Sequence, residues 1–302
     1  MTGPLDNLRV VLVGTRNPLN IGAAARATSN FGVQHLRLVR PYEVAFRGAR
    51  SAVGAAEVMA GAIEFKTVGK AVADCRLVVG TTAAARRELQ QELRRLEVGG
   101  RAIRKQLASG PVALLFGSEK RGLSNDDMSY CHWLMRIPTR GERGQTDGGS
   151  IPTFRKEREG WGSHDSIDRG SIDLALTNRG STRDGPVNHG SMNLGQAVAV
   201  CLYELVRAGK IPAGETGAAG SPMTSMATAS ARAGDLERIT QLLFEVLSAS
   251  GYVKPRVASA TEEKLRRMVR RMNLSEKDAE LWLGMLRQIG WQLGVKAGSH
   301  PG

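Results

Sequence analysis

The sequence predicts an α/β protein: a mainly parallel sheet covered by helices, followed by a small all-helical extension. Three observations carry this prediction. Between Leu8 and Leu134, short β-branched or leucine-rich runs alternate with helical stretches, the pattern of parallel strands joined by crossover helices. Four of the strand candidates are apolar almost throughout, as strands buried on both faces are. From about Asp235 to Gly294 the pattern is helical alone.

The elements follow in order. RVVLVG, ending at Gly14, is the first strand, and the helix after it has a defined start and stop. Asn17 caps it, Pro18 occupies the first-turn position, and Gly32 ends it. HLRLV, CRLVVGTT, VALLFGSE and WLMRI are the further strands, with helices between. Between Thr139 and Ser191 the pattern collapses into Gly, Ser, Asp and Arg with few apolar groups. Residues 140–190 are therefore expected to be a disordered insertion. Helix resumes in MNLGQAVAVCLYELVR, and IPAGETGAAGSPMTSMATASARAG has linker composition. The expected domains are 1–209 for the sheet, 210–233 for the linker and 234–302 for the helical extension. In that extension Leu265, Met268, Val269 and Met272 form one apolar stripe. Arg266, Arg267, Arg270 and Arg271 form a basic stripe on the other side; a solvated face explains it adequately, and the strongly basic chain favours binding of RNA phosphates. Ser259 with Glu262, and Ser275 with Asp278, read as N-terminal caps.

Charge narrows the function classes. The chain has 302 residues and a formal net charge of +13, which makes a polyanion the first partner to consider. No apolar run reaches the roughly 18 residues of a membrane span, and MTGPLDNLRV lacks a signal-peptide core. Cys75, Cys131 and Cys201 are scattered, and read as reduced thiols of a cytoplasmic protein. The five histidines show no metal-ligand spacing.

Three stretches stand where open α/β sheets place their ligands, at the C-terminal ends of strands. They are NPLNIGAAAR, LLFGSEKRGLSN and SMNLGQAV, with VVGTTAAARR as a fourth. None is a GxGxxG or a P-loop. Taken singly, each also has a local explanation, since Asn and Ser cap helices and Gly makes tight turns. From residues alone the chain is a basic α/β protein with a nucleotide-like pocket.

In sequence order, N-x-G-A-x-x-R from Asn20, FGSExxGLS from Phe116 and S-x-NL from Ser191 resemble the three motifs of the SPOUT methyltransferases. The resemblance is to the TrmH family of ribose 2′-O-methyltransferases, which use S-adenosylmethionine. LRRMVRRMNLSEKDAELWLGMLRQIG is similar to the C-terminal extension of the family's TrmJ-like branch. That branch methylates the ribose of cytidine or uridine at nucleotide 32 of the tRNA anticodon loop. The resemblance implies a trefoil-knotted sheet domain, a homodimer and a tRNA substrate. A ribosomal RNA substrate or a non-catalytic RNA-binding role are the alternatives. The early first strand, which leaves no room for a preceding RNA-binding domain, favours tRNA.

Carried over by motif, Arg26 is the catalytic residue and Asn20 supports it, with Glu119, Ser191 and Asn193 completing a polar site. The cofactor is expected against Gly80, Thr81 and Thr82, against Leu115, Gly117, Glu119 and Gly122, and against Ile137 and Pro138, with Leu194 below. Gly22, Ala23, Ala24 and Ala25 are expected to let the helix approach a dimer partner. Two roles remain open for Arg26. It is either a general base, costly for a guanidinium that titrates above about 12 in free solution, or a cation holding phosphate and stabilising developing alkoxide.

Overall fold

The computed structural model describes residues 3, 5–42, 54–83, 89–139, 192–207 and 229–295. The expected insertion at 140–190, Ser191 and most of the expected linker lie outside the described residues.

The described strands form one seven-stranded sheet: β1 (Leu8–Val13), β2 (His35–Val39), β3 (Ile63–Phe65), β4 (Leu77–Thr81), β5 (Leu93–Arg95), β6 (Val112–Phe116) and β7 (Trp133–Arg136). Their order is β3-β2-β1-β6-β4-β7-β5, with every pairing parallel. Strand β1 lies between β2 and β6, with Val10 opposite both Leu36 and Leu114. Its residues alternate between two cores. Leu8, Val10 and Leu12 face one, while Val11 and Val13 face the other, so the strand is apolar on both sides, as its composition predicts. Each such fully buried Val or Leu contributes roughly 1.5–3 kcal/mol. The two edge strands, β3 and β5, escape the sequence reading because three residues each, IEF and LRR, are too few to show a period.

Helices cover both faces: α1 (Pro18–Asn30), α2 (Ala56–Ala60), α3 (Val68–Ala71), α4 (Leu96–Leu107), α5 (Asn125–Ser129) and α6 (Leu194–Arg207). Helix α1 begins and ends as its sequence predicts. Asn17 accepts the Leu19 N–H at 2.9 Å, Pro18 follows it, and Gly32 takes the left-handed φ of +71° just beyond the last turn. The chain reverses direction of travel across the sheet between β3 and β4, which places the topological switch between β1 and β6.

The tail forms α7 (Ala233–Ala249), α8 (Ala258–Arg271) and α9 (Glu276–Gln292), with a small core of Leu236, Ile239, Val269, Ala279, Leu283 and Leu286. The described residues within Met1–Pro138 and Ser191–Gly302 form one compact unit. The tail is fastened to the sheet domain through its backbone, since Ala233 and Gly234 donate to the Cys75 and Ala73 carbonyls at 2.7 and 3.0 Å. Ser275 caps α9 through the Asp278 N–H, as expected. Ser259 does not cap α8, which starts one residue earlier after a 3₁₀ turn at Pro255–Val257.

The two stripes of α8 are also corrected. Arg266 and Arg270 are 4% and 1% exposed, whereas Met268 and Met272 are 40% and 38% exposed. Arg267 is held by Glu263 at 2.7 Å, and only Arg271 stands exposed without an acidic partner among the described residues. The reason is chemical. The face of α8 turned inward meets Glu237, Asp126 and the Tyr130 ring, so guanidinium groups fill it better than thioethers do. Two of the four arginines expected on an exposed stripe, Arg266 and Arg270, are therefore turned inward.

Candidate active site

Strands β1, β6, β4 and β7 are neighbours, so the loops at their C-terminal ends lie side by side. Asn20, in the first turn of α1, is carried there by β1. Glu119 is carried by β6, and Asn193 stands at the start of α6. They form a hydrogen-bonded chain. Asn20 Nδ2 donates to Glu119 Oε1 at 2.9 Å, and Asn193 Nδ2 donates to Asn20 Oδ1 at 3.1 Å. Asn193 also caps α6, its Oδ1 accepting the Gly195 N–H at 2.9 Å. Three segments distant in sequence are thus linked by two amides that donate and accept at once.

Arg26 lies six residues beyond Asn20, about 9 Å further along the helix. Its guanidinium runs beside Gly54, where an added Cβ would sit 3.8 Å from Nε and 3.9 Å from Nη2. The residue is exposed and makes no ion pair or hydrogen bond among the described residues. Arg16 and Lys120, exposed on the loops after β1 and β6, also lack an acidic partner there. Both were passed over in the sequence reading, although Lys120 stands inside the FGSExxGLS motif.

The expected cofactor residues divide by position. Thr81 ends β4 and Thr82 follows it, with Thr81 Oγ1 donating to the Leu115 carbonyl at 2.9 Å. Gly117 and Gly122 bracket the loop after β6, Ile137 and Pro138 follow β7, and Leu194 is buried at the start of α6. Gly117 is required by close approach, because a Cβ there would lie 2.0 Å from the Gly122 carbonyl carbon. Gly122 has a φ of +67° and open space where a Cβ would be, so that side of the loop presents bare main chain. Gly80 serves packing instead. It is buried within β4, where Cys131, Leu134 and Leu123 fill the place of its side chain. Leu115 likewise contributes its side chain to the core.

Helix α1 packs against α6 within the chain, through the small residues expected to face a dimer partner. Gly22, Ala24 and Ala25 are buried, and a Cβ on Gly195 would come 2.6 Å from that of Ala23. Gly195 was missed in the sequence, where the glycine in the first turn after Asn193 was the available signal.

The neutral His132 lies below this region. Its ring accepts the Val78 N–H at 3.1 Å, and burial, with the charge of Arg270, lowers its pKa to about 3. Buried thiols at Cys75, Cys131 and Cys201 are free, and burial raises the first two to about 12. Among the described residues no cluster of His, Cys, Asp and Glu could hold a metal ion, and no helix is long and apolar enough to cross a membrane.

A parallel sheet in this order, with a helix-borne Asn joined to Glu119 of the glycine-bracketed loop after β6, is the architecture found in methyltransferases of the SPOUT class. Residues 7–144 match the SpoU rRNA Methylase family model. The chain is 29% identical over 286 residues to the tRNA (cytidine/uridine-2′-O-)-methyltransferase TrmJ of Sodalis glossinidius, covering 94% of this chain and 92% of that one. It is 27% identical over 288 residues to the protein of the same name from Pectobacterium atrosepticum, covering 94% and 97%. The crystal structure of TrmJ from Z. mobilis ZM4 superposes with a TM-score of 0.64 at 25% identity, covering 93% of this chain and 98% of that one. The chain is thus similar to SpoU methylases over residues 7–144 and to TrmJ proteins over nearly its whole length.

Proposed function

We propose that this chain is a cytoplasmic, homodimeric tRNA ribose 2′-O-methyltransferase that uses S-adenosylmethionine and acts at nucleotide 32 of the anticodon loop. The observation that carries the reading is the Glu119–Asn20–Asn193 chain, which joins all three family motifs at one end of the sheet. Relatives similar over nearly the whole length, tail included, support tRNA as the substrate.

The residues fit the cofactor. Thr81 and Thr82, the Gly117–Gly122 loop and Ile137–Pro138 end three adjacent strands, and Gly122 leaves main-chain donors and acceptors uncovered by side chains. Bound there, S-adenosylmethionine supplies an electrophilic methyl group. The chain's own residues do the rest. Arg26 presents a fork of donors to the ribose 2′-oxygen as negative charge grows on it, and to the adjoining phosphate. Asn20 and Asn193 hold Glu119 in place and fix α1 against α6, which sets where Arg26 can reach. Arg16 and Lys120, exposed beside the same loops, supply further positive charge for RNA phosphates.

Incubation with unmodified tRNA and methyl-labelled S-adenosylmethionine, followed by mapping of the labelled ribose, tests the reading. Label on the 2′-oxygen of nucleotide 32 is the expected result. Label confined to ribosomal RNA, or to no RNA, would overturn it.

A further inference from the structure

We infer that Arg266 and Arg270 of the tail are positioning residues for the two loops proposed to hold the cofactor, and that the tail thereby sets cofactor affinity. This rests on the reading above. The loops at 117–123 and 137–138 are joined by α5, a short turn and β7. The tail grips that connection from below.

Arg266 reaches three helices at once. Its Nε and Nη2 donate to Glu237 of α7 at 3.0–3.1 Å, and Nη2 also donates to Glu262 at 2.6 Å. Nη1 donates to Ser129 Oγ of α5 at 3.2 Å and lies 3.5 Å from Asp126 Oδ1. The guanidinium carbon stands 4.2 Å from the centroid of the Tyr130 ring. Arg270 donates from Nη1 to the Ala233 carbonyl at 3.1 Å and lies 3.6 Å from Glu237. Its Nε and Nη2 are buried without a hydrogen-bond partner. One carboxylate therefore serves two buried guanidinium groups.

Such an arrangement is a poor route to stability. Apolar side chains of similar volume commonly do as well, and an unsatisfied buried donor is costly. What a fork of directional donors adds is a fixed position for each group it holds. The group held here is α5, whose start is the end of the cofactor loop. Ser124 and Asp127 cap α5 reciprocally at 3.0 Å, and the Asp127 carboxylate also accepts from Arg40. Arg40 is one residue past β2, so α5 is pinned from the sheet side as well as from the tail. Withdrawing the tail's hold leaves the loop fastened at one side only.

The test uses the full chain with Arg266→Gln and Glu237→Gln, and with Lys264→Gln as the exposed control on the same helix. S-adenosylmethionine affinity by calorimetry, tRNA affinity by filter binding and amide hydrogen exchange across 115–139 are measured for each. The expected result is a weakening of S-adenosylmethionine binding by roughly five-fold or more, the scale of a coupling between sites. Exchange should quicken within 117–131, with tRNA affinity changed less than about two-fold and Lys264→Gln like wild type. Should Arg266→Gln fail to fold, Glu262→Gln removes a single contact and should move the same readings in the same direction by less. Unchanged cofactor affinity with unchanged exchange would overturn the inference. So would loss of tRNA affinity alone, which would make these arginines RNA ligands. A wild-type chain that does not bind S-adenosylmethionine would instead sink the proposed function, and the exchange measurement would still report whether the tail holds the loop.

Discussion

Replacing Gly195 by alanine should separate the two helices that build the active site. The new Cβ would stand 2.6 Å from the Ala23 Cβ and 3.3 Å from the Ala23 carbonyl carbon, where carbon atoms prefer about 3.5–4.0 Å. Helices α1 and α6 must part by about 1 Å. Overpacking of this kind costs about 1–3 kcal/mol, and the better helix propensity of alanine offsets up to about 1 kcal/mol. The net loss should be about 1–2 kcal/mol in urea unfolding. The effect on chemistry should be larger. The Asn193–Asn20 hydrogen bond, 3.1 Å long, would lengthen to about 4 Å and be lost. Misplacement on this scale costs about 100-fold in rate, read as single-turnover methyl transfer to tRNA. Adding Ala23→Gly removes the opposing Cβ and should restore most of the stability and activity. A Gly195→Ala variant as stable and active as wild type would refute the close-packing argument, and failure of the second change to rescue would show the damage lies elsewhere.

Arg26→Ala should abolish methyl transfer while leaving S-adenosylmethionine binding within a few-fold, and Arg26→Lys should also fail, since one ammonium does not replace the guanidinium fork; substantial turnover by either variant in the single-turnover assay would contradict the assignment. Gly117→Ala drives a Cβ into main chain 2.0 Å away, so it should lower stability by about 3 kcal/mol or more and eliminate cofactor binding, measured by thermal unfolding and calorimetry. Charge reversal at Arg16 and Lys120 together should weaken tRNA binding and flatten its dependence on salt without altering cofactor affinity. For His132 the folded pKa of about 3 lies below the usual value near 6.5. The unfolded chain therefore takes up a proton that the folded chain refuses, and the contribution is full above pH 6.5 and lost as pH falls toward 3. Roughly 1–2 kcal/mol should disappear between pH 6.5 and 5; His132→Gln should flatten that slope in urea midpoints, and an unchanged slope would show that His132 is not its source.

The legible parts of this protein are those that local chemistry dictates. Strands buried on both faces announce themselves by nearly unbroken apolar runs, so β1, β4, β6 and β7 could be read directly, and β2 by its apolar alternation. Asn17, Pro18 and Gly32 bound α1 because a cap, a first-turn proline and a left-handed residue are each satisfied by neighbours a few positions away. The Asn20, Glu119 and Asn193 motifs were legible as spacing, and their meeting followed from strands that must end at the same edge of a parallel sheet.

Tertiary structure decided what depends on partners far along the chain. The inward face of α8 is a case in point. Periodicity assigns its methionines to the core and its arginines to solvent, yet Glu237, Asp126 and Tyr130, none of them on α8, supply the charge and ring that draw Arg266 and Arg270 inside. Gly80 and Gly195 are similar. A glycine that makes room for a distant side chain looks, in sequence, the same as one that makes room for a ligand, and only the atoms standing 2.6–3.0 Å from the missing Cβ tell them apart. Burial of a charge is an agreement between segments, and no single segment carries the terms of it.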